Sequence, residues 1–317
     1  MTSEGGLVGY VYALLFGANG SVNKVVLEAG ITPGQLTLMR SLAVAVLGGA
    51  ALLMTNRAAL RVSVPELFHF AVLGVVGVAM VQWFYAMALS RMPVGIALLI
   101  EYTAILMVAV VARFVFSETV KPRLWVAIAC VLAGLAVVAK VWSTDLPVLG
   151  VALASLAAVS FAAYLLLGEH LVTRTSPLAA AFWSMVFASL FWGIFSGWWQ
   201  MDAHLFTQRM SLGGHLSGTV VPLWVLVCYV MLLGSAAPFM LSFMALGRLP
   251  ATPVGIVSTT EIVFAFAVAW MWLGEALDSA QLSGAIIVLV GVAIAQTARG
   301  AATRVSQEPA PALAAAD

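Results

Sequence analysis

Ten apolar runs separated by short polar connections make up most of the chain. A bilayer core of about 30 Å needs about 20 mostly apolar residues in a helix, and each run approaches or exceeds that length. The runs cover residues 7–27, 35–54, 66–89, 94–115, 123–141, 148–167, 178–199, 222–246, 251–273 and 281–296. Proline and glycine punctuate the connections, as in Thr32-Pro33-Gly34. The pattern predicts an all-α integral membrane protein with ten transmembrane helices, of which the last is the shortest.

The composition is typical of a protein that uses lipid as its solvent. Hydrophobic residues make up 63% of the 317 residues and charged residues only 9%, whereas a soluble domain averages about 25% charged residues. A net charge of +1 gives no electrostatic basis for binding nucleic acid. The two cysteines, Cys130 and Cys228, lie inside apolar runs without a CxxC motif. They are therefore expected to be small buried hydrophobes rather than disulfide partners or metal ligands.

The segments outside the apolar runs carry few chemical signals. The N-terminal segment 1–6 has neither a basic region nor a small-residue cleavage site. The first run is therefore expected to be a retained helix rather than a signal peptide. The longest connection, 200–221, holds His204 and His215 far apart in a Gly/Ser-rich stretch, which favours a solvated loop over a metal site. Residues 298–317 are rich in alanine and proline and are predicted to form a disordered tail.

The distribution of basic residues predicts how the helices are oriented. Short cytoplasmic loops carry an excess of lysine and arginine. With the N-terminus in the cytoplasm, nine basic residues fall inside and four outside. The inside set is Arg57, Arg61, Arg113, Lys121, Arg123, Arg174, Arg248, Arg299 and Arg304, and the outside set is Lys24, Arg91, Lys140 and Arg209. The prediction is a multi-pass protein of the cell membrane with both termini in the cytoplasm.

The two halves of the chain resemble each other at a constant shift of 157 residues. Residues 77–138 match residues 234–295 without a gap, and the matches include Gly77 with Gly234, Arg91 with Arg248 and Glu118 with Glu275. These pairings predict two five-helix repeats, at 7–141 and 148–297. Because five is odd, the second repeat enters the membrane in the opposite orientation. Such inverted repeats allow a site between them to open to either side in turn.

The chain as a whole resembles the EamA-type members of the drug/metabolite transporter superfamily, from about residue 7 to residue 296. The most specific segment is 269–275, Ala-Trp-Met-Trp-Leu-Gly-Glu, which is similar to the leucine-glycine-glutamate ending of that family. Two departures are Ser117, where glycine is usual, and Ile262, where many relatives have proline after the glutamate. The resemblance implies solute movement, usually export and often of amino acids or similar metabolites. It also implies a central cavity lined by both halves.

Three charged residues lie well away from the ends of the apolar runs, at a depth where an ionisable group is expensive. Glu101 and Glu261 lie about 10 and 15 Å into the fourth and ninth helices, and Arg40 lies about 8 Å into the second. Glu101 has three candidate roles: binding a substrate amine, taking up a proton, or neutralising Arg40. Glu261 has no evident basic partner and is the better candidate for a proton or cation. The two glutamates are not symmetry mates, since the shift pairs Glu101 with Ser258 and Glu261 with Ala104.

Uncharged polar and aromatic residues complete the candidate site, and for the aromatic ones packing or a place in the membrane-interface belt is the competing role. Small-ligand sites use such groups for hydrogen bonds and aromatic walls. The candidates are Asn19, Asn23, Gln82, Tyr102, Tyr164 and Trp183.

Several further residues receive predictions of a structural role. Glu118 and Glu275 are expected to cap or pair at helix ends, and Pro238 is expected to kink the eighth helix. Gly193 and Gly197 fit a small-residue packing motif, so a homodimer is a further expectation. Ser258-Thr259-Thr260, which precede Glu261, serve either the site or plain helix contact.

Together these features predict a secondary transporter that moves a small metabolite and is coupled to protons or to exchange. Broad drug efflux is the alternative within the same class, and a non-transporting membrane scaffold is the alternative outside it. The chain has no P-loop, no HExxH and no GxSxG motif, so neither ATP use nor enzymatic activity is expected. No cofactor is expected, and the expected partners are the solute and the lipid bilayer.

Overall fold

The computed structural model describes residues 3–115, 122–138, 147–172, 175–238 and 261–298. Within the described residues, helical backbone lies in each of the ten predicted runs. The helices are α1 Ser3–Glu28, α2 Pro33–Thr55, α3 Val64–Leu89, α4 in two segments Val94–Glu101 and Ala104–Phe114, α5 Arg123–Val138, α6 Val148–Val172, α7 Pro177–Phe195, α8 Leu223–Ala236, α9 Glu261–Leu273 and α10 Ser279–Ala298. The predicted tail, Glu118 and 258–260 lie outside the described residues.

The helices have the length and surface of membrane spans. Four of them, at Pro33–Thr55, Val64–Leu89, Val148–Gly168 and Leu178–Phe195, are long and apolar enough to cross a bilayer, and five shorter apolar helices accompany them. Large apolar side chains point outward from these helices, among them Val46, Leu156, Leu190 and Ile286, each about half exposed or more. A soluble monomer does not present so much apolar surface to water. The fold is therefore that of a multi-pass membrane protein.

Local signals in the sequence fix where corresponding helices of the two halves begin. At α2, the Thr32 side chain accepts a hydrogen bond from the Gln35 backbone N–H (3.3 Å), and the Gln35 side chain accepts one from the Thr32 N–H (3.0 Å). At α7, the Ser176 hydroxyl accepts from the Ala179 N–H (3.2 Å). In both helices proline follows the cap, at a position where its missing N–H costs nothing.

Helices that correspond in the two halves pack against each other in antiparallel fashion. Helix α2 lies on α7, with Gly34 near Trp192 and Gly49 near Phe182. Helix α5 lies on α10, where a Cβ added at Gly134 would lie 2.7 Å from the Gly284 carbonyl oxygen. An antiparallel contact between corresponding helices is what an inverted arrangement of the two halves requires.

The contact between α5 and α10 reproduces the 157-residue shift residue by residue. A Cβ at Gly134 would lie 2.7 Å from Cγ2 of Val288, and a Cβ at Gly291 would lie 2.7 Å from Cγ2 of Val131. Gly291 is the counterpart of Gly134, and Val288 is the counterpart of Val131. The two glycines therefore make the same close approach from opposite sides of a local pseudo-two-fold axis.

Other helix contacts also occur in pairs, in which each helix of one contact is replaced by its counterpart from the other half. The contact of α3 with α6 corresponds to that of α8 with α1. The contact of α4 with α6 corresponds to that of α9 with α1. The contact of α2 with α8 likewise corresponds to that of α7 with α3. Each of these contacts joins the first half to the second, so the interface between the halves runs through the middle of the molecule.

Helices α3 and α8 each contain a π-helical segment, at Leu73–Ala79 and Leu232–Ala236. The 157-residue shift places one segment on the other, with Gly77 and Gly234 as counterparts. Pro238, which lacks a backbone N–H, follows the segment in α8 and accounts for a disturbed hydrogen-bond ladder there. Because Val81 is the first-half counterpart of Pro238, proline does not explain the segment in α3. Short π-helical segments within α-helices occur often at functional sites.

The connection between α7 and α8 is ordered and docks on the end of α9. It contains short 3₁₀ turns and an antiparallel hairpin of β1, Arg209–Ser211, and β2, Val220–Pro222. The Trp272 indole Nε1–H donates to the Leu212 carbonyl (2.8 Å). Most residues of the connection are exposed, as expected for a solvated loop. Leu205, Phe206, Met210 and Leu212 nevertheless pack against the apolar cluster that α1 and α8 form.

Candidate functional site

Three helices bring charged side chains together in the interior of the molecule. Arg40 of α2 interacts electrostatically with Tyr85 of α3, Glu101 of α4 and Glu261 of α9. Arg40 and Glu261 are 7% and 8% exposed. The structure therefore joins the three ionisable residues that the sequence places inside the apolar runs into one charged cluster.

Glu261 is bound directly by Tyr102. The Tyr102 hydroxyl donates a hydrogen bond of 2.6 Å to Oε2 of Glu261, and both side chains are buried. Tyr102 belongs to the first half and Glu261 to the second, so this bond crosses the interface. Tyr102 thus supplies the hydroxyl partner for Glu261 in the described part of the chain.

Tyr102 lies where the fourth helix is interrupted, although the sequence predicts a continuous helix over 94–115. The first segment ends at Glu101, and the Thr103 hydroxyl donates to the Ile100 carbonyl (2.7 Å). The Thr103 and Ile105 backbone N–H groups bond three residues back rather than four, to the carbonyls of Ile100 and Tyr102. A threonine hydroxyl that bonds to a nearby carbonyl competes with the helical ladder, which accounts for the tight turn here.

Arg40 is held by a serine rather than by a carboxylate. Its Nε–H donates to the Ser235 hydroxyl oxygen at 2.9 Å, and Ser235 is 1% exposed in the π-helical segment of α8. Within the described residues the one ion pair joins Lys24 to Glu275, and Arg40 forms a salt bridge with neither Glu101 nor Glu261. The bond to Ser235 is the second one in the cluster that joins the two halves.

Several buried polar atoms near the helix crossings have no hydrogen-bond partner in the described part of the chain. They are Oδ1 of Asn19, both amide atoms of Asn23, Oε1 of Gln82 and Oε2 of Glu101. Asn19 lies against Gly234, where an added Cβ would lie 2.1 Å from its Oδ1. Buried polar groups are normally satisfied, so unpartnered ones in an apolar bundle indicate a place for water or a polar solute.

The two remaining aromatic candidates have different surroundings. Tyr164 stacks on Phe161 (6.1 Å between centroids), and Phe161 meets Tyr102 edge-on (5.8 Å), so an aromatic row leads from Tyr164 to the partner of Glu261. Trp183 does not join this row; it packs on an apolar cluster that contains Phe70 and Leu171 and that Tyr164 also contacts. Its indole N–H is buried without a partner among the described residues, and no described contact joins Trp183 to the charged cluster.

Two residues that interact with Arg40 of the charged cluster do not stand out in the sequence. Ser235 and Tyr85 are uncharged residues in apolar runs, where serine and tyrosine also serve ordinary helix packing. Tyr85 lies three residues after Gln82, on one face of α3, and a Cβ added at Gly20 would lie 2.9 Å from the Tyr85 hydroxyl oxygen. The one available signal for Ser235 is its neighbour Gly234, which takes part in the internal repeat.

Other predicted residues have structural surroundings. Glu275 pairs with Lys24 and accepts the backbone N–H of Val94 (2.9 Å), so it caps α4 rather than the helix that follows it. Gly193 faces open space, and Gly197 takes a left-handed φ of +66° after α7. Neither glycine makes a close helix approach within the described chain, and the homodimer stays a prediction. No group of three metal-ligating side chains occurs among the described residues.

Comparison with known proteins agrees with this architecture. A family model described as the EamA-like transporter family matches residues 4–140 and 148–297. Fifteen chains of solved structures match, and one, described only as a crystal structure of a protein, is 20% identical with a TM-score of 0.60. That match covers 94% of this chain and 97% of the other, and it shows a shared fold. No protein of curated function matches the sequence. Because the family model covers nearly the whole chain in two repeats, the protein belongs to the EamA-like transporter family.

Proposed function

We propose that the protein is a secondary transporter that exports a small metabolite, an amino acid or a similar compound, by alternating access. The observation that carries the proposal is the charged cluster of Arg40, Glu101 and Glu261 at the interface between the halves. Charged groups at membrane depth are costly and usually mark substrate or proton pathways. In this proposal the protein resides in the cell membrane with both termini in the cytoplasm.

The position of the cluster suits alternating access. The bonds Tyr102–Glu261 and Arg40–Ser235 each join one half to the other. In inverted-repeat transporters the site lies near the bilayer midplane between the repeats, which rock around it. A solute that competes for Arg40 or Glu261 would loosen these bonds, so its arrival and departure would change how the halves are held together.

Glu261 is the residue we assign to proton coupling. With both glutamates ionised, the cluster carries one excess negative charge, and one bound proton neutralises it. A neutral cluster costs less to move through a water-excluding environment than a charged one. Tyr102 of the first half donates to Glu261 of the second, so a proton that binds Glu261 changes a bond that joins the halves. Glu101 keeps one oxygen unpartnered among the described residues, where a solute amine can bind.

Transport can be tested in two steps. Cells that express the chain are compared with matched cells that lack it, and the metabolites whose levels differ are then supplied to proteoliposomes. We expect Glu261→Gln to fold normally and to abolish flux driven by a pH gradient, while exchange of the same solute persists. Unchanged gradient-driven flux would remove Glu261 from coupling. If no differing metabolite showed flux, the non-transporting scaffold would become the better account.

The aromatic row of Tyr102, Phe161 and Tyr164 beside the acidic residues favours broad drug efflux as a second candidate. Aromatic faces attract cations, and a neighbouring carboxylate adds charge complementarity. A resistance screen with lipophilic cationic dyes and amino-acid analogues separates the two candidates. Resistance to many unrelated dyes supports drug efflux, whereas resistance confined to the analogues supports metabolite export.

A further inference from the structure

Arg40 is a buried cation whose hydrogen-bonding capacity is only partly used. A guanidinium presents five N–H donors in a planar fork. The described structure gives Arg40 one hydrogen bond, from Nε to the Ser235 hydroxyl at 2.9 Å. Neither terminal nitrogen meets an acceptor among the described residues, and the side chain is only 7% exposed. The outer edge of the fork, which binds carboxylates in two parallel bonds, therefore remains available.

No carboxylate of the described residues binds the outer edge of the Arg40 guanidinium. Glu101 and Glu261 interact with Arg40 through space, but neither forms a salt bridge with it in the described structure. Glu261 is bound by Tyr102 instead. Residues 239–260, which link the two described parts of the second half, contain no aspartate or glutamate. Within the described residues, the Arg40 guanidinium thus lies in the interior without a carboxylate in contact.

Ser235 fixes the orientation of the fork. It lies in the π-helical segment of α8 and is 1% exposed. Its counterpart in the first half is Val78, so the hydroxyl is a departure from the repeat. A bond to Nε leaves the end of the fork, between the two terminal nitrogens, open. The adjacent Gly234 lies against the Asn19 amide, whose Oδ1 has no partner among the described residues.

We propose that Arg40 is the anion-binding residue of the site, that it takes the carboxylate of the transported solute with its two terminal nitrogens, and that Ser235 is its positioning residue. This assignment rests on the proposed transport function and names the substrate class: small organic carboxylates. A solute of this class supplies the direct carboxylate contact that Arg40 lacks among the described residues. An amino group on the same solute would meet the acidic side of the cluster at Glu101.

The test is ligand-induced thermal stabilisation of the purified full chain in nanodiscs. The probes are a pool of short aliphatic carboxylates, a second pool of the same compounds with an α-amino group, and the primary amides of both pools. We expect at least one carboxylate pool to raise the unfolding temperature and the amides to have no effect. Equal stabilisation by carboxylates and amides, or no stabilisation by either carboxylate pool, would overturn the assignment.

Variants separate binding from folding. Arg40→Gln is expected to weaken carboxylate binding by about tenfold or more, because charge-assisted hydrogen bonds are lost. Arg40→Lys keeps the charge but not the fork and should bind with intermediate affinity. Ser235→Ala should also weaken binding, and Ser235→Thr should restore it. The controls are Arg91→Gln, at an exposed arginine, and Ser189→Ala, at a buried serine that bonds only to the Met185 carbonyl (2.7 Å).

The outcome can be distinguished from failure of the transport proposal. If Glu261→Gln abolishes gradient-driven flux while the carboxylate pools do not bind, the transporter stands and the role of Arg40 is wrong. If wild-type affinity persists in Arg40→Gln, the carboxylate is recognised elsewhere. A third outcome concerns Ser235. If both Ser235→Ala and Ser235→Thr lose binding while the Ser189→Ala control binds fully, the site depends on the shape of residue 235 and not on its hydroxyl. That result would overturn the positioning role of Ser235.

Discussion

Single residues carry the chemistry of this protein because the chain has so few polar groups inside its apolar runs. Arg40, Glu101 and Glu261 can be identified from sequence for that reason, and the structure brings all three into one cluster. Their partners cannot be identified in this way. Ser235 and Tyr85 become recognisable only when helices that are distant in the sequence cross, and that crossing depends on long-range packing rather than on local pattern. Trp183, which is equally prominent in the sequence, packs on an apolar cluster and makes no described contact with Arg40, Glu101 or Glu261.

At this scale we expect Tyr102→Phe to impair coupling without unfolding the protein. The substitution removes the donor to Glu261 and leaves a buried carboxylate oxygen without that partner. Loss of a hydrogen bond to a charged group costs about 1.5–3 kcal/mol. Gradient-driven flux in proteoliposomes should fall, and Tyr229→Phe, in α8, serves as the matched control. Equal flux in wild type and Tyr102→Phe would show that the bond plays no part in coupling.

Whole elements were more predictable than their irregularities. Each apolar run coincides with a helix because about 20 apolar residues between polar, Pro/Gly-containing connections have few alternatives in a bilayer. The turn at Tyr102–Thr103 and the π-helical segments of α3 and α8 were not predictable, since hydrophobic periodicity does not report a shift of one backbone hydrogen bond. The internal repeat is informative here, because it pairs Gly77 with Gly234 within those two segments.

Close packing of α5 on α10 gives a prediction that applies equally to two corresponding glycines, Gly134 and Gly291. A Cβ at Gly134 would lie 2.7 Å from the Gly284 carbonyl, and one at Gly291 would lie 3.0 Å from the Ala127 carbonyl. Backbone cannot move aside cheaply, so Gly134→Ala and Gly291→Ala should each destabilise the protein by about 1–3 kcal/mol. Unfolding in detergent measures the effect. Gly193→Ala, where the Cβ meets nothing within 4 Å, is the control and should be neutral or stabilising.

The link between α1, α4 and the end of α9 gives a second prediction at this scale. Glu275 pairs with Lys24 and also accepts the Val94 N–H. Glu275→Gln keeps an acceptor for that N–H, whereas Glu275→Ala loses both interactions, so Ala should cost about 1 kcal/mol more in unfolding free energy than Gln. The effects of Glu275→Gln and Lys24→Met should be less than additive, because each removes the same ion pair. Strict additivity would show that the pair contributes nothing.

The whole molecule is organised by the relation between its two halves. An odd number of helices in each repeat predicts opposite orientations, and the antiparallel contacts of α2 with α7 and of α5 with α10 have the geometry that this relation requires. The sequence could supply this much because glycine, proline and charged positions match at a fixed shift. It could not supply the docking of the 200–221 connection on α9, since that contact depends on the shape of a distant surface.

Opposite orientation of the halves is the claim on which the site between them depends, and labelling from one side of the membrane tests it directly. Arg91→Cys and Arg248→Cys, at corresponding positions of the two repeats, are made separately with Cys130 and Cys228 replaced by alanine. We predict that a membrane-impermeant maleimide labels Arg91→Cys in intact cells and labels Arg248→Cys only after permeabilisation. Arg209→Cys, in the hairpin, should follow Arg91→Cys. Labelling of Arg91→Cys and Arg248→Cys from the same side would contradict the account.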